Sequence, residues 1–212
     1  MGLMKHLASL CLLAVVPLSA AAEGGNARGK ALFALCAQCH GADAGGNEAI
    51  MAPAIAGMTP WYLEAQLKKF RNGMRGAHPD DVGGMRMRPM SLALSGDEDV
   101  AAVAAYVASL PPALPKPVLV GGDPQRGQAI FTPCTACHGP DASGNQVFLA
   151  PPIKLSSDWY LFKQLHNFRA AIRGANPADA QGAMMRGMAA TLADDQAMKD
   201  VIAYIMTLRN GQ

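Results

Sequence analysis

Displaced by 98 residues, the chain matches itself without a gap, and no other feature restricts its fold as strongly. Gly29 falls on Gly127, Phe33 on Phe131, and Cys36, Cys39 and His40 fall on Cys134, Cys137 and His138. Asp43 meets Asp141, Gly46-Asn47 meets Gly144-Asn145, and Pro53 meets Pro151. Trp61-Tyr62, Leu67, Phe70-Arg71 and Arg75-Gly76 meet Trp159-Tyr160, Leu165, Phe168-Arg169 and Arg173-Gly174. Met87-Arg88, Met90, Leu94, Tyr106 and Leu110 meet Met185-Arg186, Met188, Leu192, Tyr204 and Leu208. A period of this length is too long for one stacked solenoid unit and right for a small domain. Between the copies lies PPALPKPVLVGGDP, residues 111–124, whose prolines favour a semi-stiff extended connector. The expected organisation is two similar domains, residues 23–112 and 118–212, joined by a proline-rich linker at 113–117.

Each copy reads as helices around loops, an all-α fold. Asp123-Pro124 pairs a cap with a first-turn proline and starts a helix running towards Cys134; its twin starts less clearly, near Asn26. A second helix begins at Thr59-Pro60 and carries Leu63, Leu67, Phe70 and Met74 at helical spacing; its copy carries Leu161, Leu165, Phe168 and Ile172. The last helix opens with Ser95-Gly96-Asp97-Glu98, a capping box, and presents Val100, Val103, Val107 and Leu110 before Pro111 stops it. Met198, Val201, Ile205 and Leu208 form the twin stripe. These stripes are core positions, and no alternating strand pattern accompanies them. Gly29 and Gly127 are read as packing residues that let the first helix cross closely against the helices of Tyr106 and Tyr204.

The start of the chain, MGLMKHLASLCLLAVVPLSAAA, has an early lysine, a short apolar run and an Ala-rich end. That is the pattern of an export signal cleaved near Ala22, and the run is about half of what a spanning helix needs. Periplasmic localisation and a soluble mature chain are the expectation. Loss of Lys5 would lower the formal charge from +2 to +1, which gives no case for nucleic acid. Cys11 leaves with the signal, so of five cysteines four remain, all inside the sequences CAQCH (36–40) and CTACH (134–138). None is left to staple distant parts of the chain, although an oxidising compartment would favour that use.

A zinc site needs about four ligands, and one CxxCH supplies at most three. A thioredoxin-like CxxC expects a βαβ context, which is missing. The remaining reading is covalent haem c. Cys36, Cys39, Cys134 and Cys137 would form the thioether links, and His40 and His138 would ligate iron from one face. Each imidazole needs its other nitrogen tied to a carbonyl, for which Pro53 and Pro151 are candidates. A domain of about 90 residues with few aromatics would gain core from such a group.

The sixth iron position decides the chemistry. Left open it admits oxygen or peroxide, whereas a second strong ligand leaves only electron transfer, and methionine raises the potential. Methionines cluster in GMRMRPMSLAL (84–94) and AMMRGMAATL (183–192). Met85 and Met184 have no methionine at the matching position, since they face Ala183 and Arg86. Two matched pairs remain, Met87 with Met185 and Met90 with Met188, and self-comparison does not choose between them. The non-motif histidines His78 and His166 face Asn176 and Lys68, so neither recurs.

Taken together, the tandem CxxCH motifs, the stretch APAIAG…WYLEAQLKKFRNGMRG and the MxxMxxxLSxxEDxxxxxAYVASL end resemble the dihaem cytochromes c of the c4 type. The resemblance covers the mature chain and implies two tandem class I cytochrome c domains with two covalently bound haem c groups. In that family the ligand methionine often stands seven residues before the leucine that opens the last helix. Carried over, this selects Met87 before Leu94 and Met185 before Leu192, with Met90 and Met188 as packing neighbours. Haem edges that face each other through propionates are implied too, with Trp61, Tyr62, Arg71, Trp159, Tyr160 and Arg169 as candidate donors. The implied function is single-electron transfer without catalysis, between a quinol-oxidising complex and a terminal oxidase or reductase, with peripheral docking to membrane complexes. The rivals are a dihaem subunit of a larger dehydrogenase, such as a sulfide-oxidising flavoprotein, and a dihaem peroxidase, which should carry two unlike sites.

Overall fold

The structure is a computed structural model that describes residues 18–210, with side chains from Asn26 to Arg209. Residues 1–17, and with them most of the expected export signal, lie outside the described residues. The first copy contains α1 (Leu18–His40), α2 (Pro60–Arg71), α3 (Val82–Leu92) and α4 (Asp97–Ser109). The second contains α5 (Pro124–Phe131), α6 (Thr135–His138), α7 (Asp158–Arg169), α8 (Ala180–Ala190) and α9 (Asp195–Thr207). Among the described residues there is no strand, only single bridges at Asn47–Ala52 and Asn145–Ala150. The all-α expectation holds, and residues 111–123 connect the copies without a helix.

In the first copy α4 packs against α1 and α2, and α2 against α3; in the second α9 packs against α5 and α7, and α7 against α8. The expected stripes form the cores. Val100, Val103 and Val107 are buried with Phe33, Leu63 and Leu94, while Val201, Ile205 and Leu208 are buried with Phe131. The first helix lies tightly on the last in both copies. A Cβ on Gly29 would come within 2.2 Å of the Ala102 carbonyl oxygen, and one on Gly127 within 2.0 Å of that of Asp200. The close crossing puts Phe33 beside Tyr106 and Phe131 beside Tyr204, with ring centroids 5.6 Å apart in each case.

Several local expectations change. Helix α1 begins at Leu18 rather than near Asn26, over the alanine-rich Leu18–Ala22 stretch, a strong helix former. Helix α2 stops at Arg71, so Met74 lies beyond it. The expected capping box is displaced by one residue: Gly96 is the N-cap of α4, and Asp99 accepts from the Ser95 amide at 2.9 Å. The largest addition is α3 and its copy α8. Glycines at their first turns and Pro89 inside α3 hide them from a propensity reading. What starts them is one carboxylate each: Asp81 accepts from the Gly84 amide at 3.1 Å and Asp179 from the Gly182 amide at 2.9 Å.

The linker is pinned to the second copy. The buried Asp158 Oδ2 accepts from the Val118 and Leu119 amides at 2.7 and 2.6 Å, and Arg209 Nη1 donates to the Pro115 carbonyl at 2.7 Å. Its extended course follows from its prolines, and its position from these three bonds.

Candidate haem sites

Both CxxCH motifs lie at the C-terminal end of helical segments that end on the histidine. Cys36 and Cys134 are half-buried, while Cys39 and Cys137 are exposed, and all four thiols are free. Burial pushes the Cys36 and Cys134 thiols up from their ordinary value. His40 and His138 are buried. After each histidine the chain reverses. The Gly46 amide donates to the His40 carbonyl and the Gly144 amide to the His138 carbonyl, both at 2.8 Å. These turns need glycine, because φ is +86° at Gly46 and +80° at Gly144, and an added Cβ would come within 2.5 Å of backbone.

The reversal returns the chain to the ring. His40 Nδ1 lies 2.8 Å from the Pro53 carbonyl oxygen, and His138 Nδ1 lies 3.0 Å from that of Pro151. The expected pairing of histidine and proline carbonyl is therefore present in both copies. A ring that donates through Nδ1 has Nε2 free with its lone pair, the tautomer a metal ligand needs. Burial lowers both imidazole pKa values, outweighing the carbonyl bond, and so favours the neutral ring.

In the first copy this ring opens onto a cleft of about 1230 Å³, counting the part open to solvent. Its walls are mainly apolar, with Phe33, Leu63, Leu67, Phe70 and Val103, and Cys36 and His40 line it too. Met87 and Met90, three apart on α3, both line it. Met87 is half-buried and Met90 is 37% exposed. The matching Met185 and Met188 on α8 are both half-buried. The second copy closes part of the first cleft: Trp159, Tyr160, Lys163 and Gln164 of α7 also line it.

The arginines differ from expectation. Arg71 Nη1 donates to the Ser91 carbonyl at 3.0 Å and also to that of Leu94, so it caps the end of α3. Arg169 pairs with Asp195 at 2.8 Å. Neither lines the cleft. The buried cations are instead Arg75 and Arg173, which lie over the Phe70 and Phe168 rings at 4.3 and 4.5 Å. Arg75 reaches Gln66 at 2.7 Å, Tyr160 at 3.1 Å and Gln164 at 3.2 Å. Arg173 reaches Gln164 at 2.7 Å and Gln66 at 3.0 Å. The two repeats thus meet through one buried polar network. Its visible signal in the sequence was that Gln66 and Arg75 recur as Gln164 and Arg173.

The residues present fit a haem. A large apolar slot is flanked by a thiol and a neutral imidazole, with thioethers on its wall. Arg75 lines the slot, and its buried Nε has no hydrogen-bond partner. A buried guanidinium donor left over at an apolar slot suits the carboxylate rim of such a group.

The family described as Cytochrome c matches the chain twice, over residues 26–111 and 124–209. This chain belongs to the dihaem cytochromes c of the c4 type. Cytochrome c4 of Azotobacter vinelandii is 32% identical to it over 94% of this chain and 95% of that protein. A protein of Stutzerimonas stutzeri (strain A1501) named thiosulfate dehydrogenase electron acceptor is 34% identical, over 84% of this chain and 82% of its own length. Among solved structures, reduced recombinant cytochrome c4 from Pseudomonas stutzeri superposes with a TM-score of 0.65 at 28% identity, covering 85% of this chain and 96% of that one. Membership settles the cofactor as two covalent haem c groups, one for each of the Cys36/Cys39 and Cys134/Cys137 motifs. The chain is accordingly a dihaem c-type cytochrome of electron transfer. No helix among the described residues is long and apolar enough to cross a membrane.

Proposed function

We propose that the protein is an exported, periplasmic carrier that passes single electrons between respiratory partners and catalyses no reaction of its own. Haem supplies the one-electron couple; the chain supplies attachment, ligation, burial and the path between the two centres. Cys36 and Cys39, and Cys134 and Cys137, form the thioether links. His40 and His138 would ligate the iron, and Met87 and Met185 would supply the second ligand in each copy. Residues 23–112 and 118–212 act as two mono-haem domains joined at 113–117.

One observation carries this reading: both copies hold the histidine by the same proline carbonyl and place a matched methionine pair on a capped helix. Two like, closed sites suit a relay, whereas a peroxidase needs one site open. Met87 is preferred to Met90 because it is the more buried of the two. The relative named thiosulfate dehydrogenase electron acceptor supports a dehydrogenase as donor; in the proposed path a quinol-oxidising complex is the other donor, and an oxidase or reductase is the acceptor.

The oxidised absorption spectrum tests the ligands. Met87→His and Met185→His should each remove about half of the red sulfur-to-iron band, while Met90→Leu and Met188→Leu keep it. Loss of the band in the second pair of variants but not in the first would overturn the assignment.

A further inference from the structure

The interface between the copies is nearly symmetric in its residues, and one position breaks the symmetry of its charges. Asp81 caps α3 and Asp179, its copy, caps α8; both are buried. Each carboxylate has its own copy's arginine nearby, Arg75 or Arg173. The partner that arrives from the opposite copy differs. Lys69 on α2 reaches across to Asp179 at 2.5 Å and to Gln181 at 3.3 Å. Its copy, Asn167 on α7, reaches back to Asp81 at 3.4 Å with an amide. Asn167 is fully buried, and its Oδ1 has no partner. Lys69 is itself largely covered, its side chain 15% exposed, so solvent screens it little.

We propose that Lys69 is a positioning residue that makes the two electron seats unequal. It carries a charge of the first copy into the second. There it neutralises the carboxylate that starts the Met185 helix. Asp81, which also lines the first cleft, keeps its charge matched only by an amide from across the interface. An added cation favours the reduced state of a nearby centre, and the first repeat has no such added cation from across the interface. An electron entering the molecule therefore rests preferentially in the C-terminal repeat. One electron leaves the N-terminal centre and one arrives at the C-terminal centre, with no other reactant.

The inference rests on the relay reading above, and the test separates the two. In the full-length dihaem protein, a redox titration followed by resolved haem-methyl NMR signals gives the occupancy of each centre. Lys69→Asn makes both partners amides and should lower the C-terminal share by several-fold, at most roughly tenfold, which is about 59 mV for a one-electron couple. Asn167→Lys adds the missing cation without removing anything and should raise the N-terminal share by a similar factor. The double exchange should move the bias to the N-terminal repeat, and Lys69→Arg should preserve it. Both centres shifting together, or neither shifting, in Lys69→Asn and in Asn167→Lys would overturn the proposal. A sulfur-to-iron band that is intact while the shares stay fixed would sink the role of Lys69 alone. A band that is missing in the unmutated protein would sink the relay reading instead.

Discussion

The two repeats solve one packing problem with different side chains. In the first, α1 runs unbroken to His40, whereas in the second Pro133 stands where Leu35 does and splits the segment into α5, a 3₁₀ turn and α6. A proline lacks the N–H that would continue the ladder, yet the motif histidine arrives in the same place. The ion pair between first and last helix also moves. Arg28 donates to Asp99 at 2.7 Å, and Arg126, its copy, donates to Asp200 at 2.8 Å, one turn further along. Alanines fill the vacated positions, Ala102 and Ala197. What does not move is the backbone crossing at Gly29 and Gly127. Shape at that crossing is fixed, and the polar ties around it are interchangeable.

This contrast is easiest to break at the glycines. Gly29→Ala and Gly127→Ala each drive a Cβ into a backbone carbonyl, which cannot swing away as a side chain tip would. Each should cost about 3 kcal/mol, and by about the same amount in either repeat. Denaturant unfolding of the haem-loaded protein measures it. If one alanine is tolerated and the other is not, the crossings are not equivalent.

The relocated ion pair gives a smaller and pH-dependent effect. The Arg126 guanidinium, with the Asp123 amide and Gln196, holds the Asp200 carboxyl at about 2, down from an ordinary 3.8. Asp99 is lowered as well, chiefly by the Ser95 amide and then by Arg28. A depressed carboxyl stabilises the fold at pH values above about 4, and the contribution fades as pH falls towards 2. Asp200 ties α9 to the start of α5, accepting from the Asp123 amide at 2.8 Å. Asp200→Asn should therefore cost about 2 kcal/mol at pH 7 and little near pH 2. Asp99→Asn should show the same sign and pH direction. Thermal unfolding across this range distinguishes them from a pH-independent packing loss.

The duplication and the periodic stripes made the helical fold and the two cores legible before any coordinates, because both depend on spacing alone. The histidine–carbonyl bond was legible too, since Pro53 and Pro151 stand at one distance from their histidines. Helices α3 and α8 were not, because glycines in their first turns and Pro89 inside α3 interrupt the pattern, and their start rests on a single capping carboxylate. The interface network was hidden for a different reason. Arg71 and Arg75 recur equally well in the repeat, and only the turn after α2 decides which is buried. Sequence periodicity reports what a copy needs internally; it does not report what the copies need from each other.

The finest contrast lies at the interface, where Ser157 and Thr59 are copies of one another. Ser157 Oγ accepts from the Ala54 amide at 3.1 Å, a bond between the repeats. The mirror bond cannot form, because the copy of Ala54 is Pro152, which has no amide hydrogen. Thr59 Oγ1 is accordingly buried without a partner. Ser157→Ala should cost about 1 kcal/mol or somewhat more, since it strands a buried amide. Thr59→Val removes an unsatisfied hydroxyl at nearly constant shape and should be neutral or stabilise by up to about 1 kcal/mol. The pair is read by the same unfolding experiment. Equal losses would mean that Thr59 has a partner when the haems are in place, and that the interface is more symmetric than its amides allow.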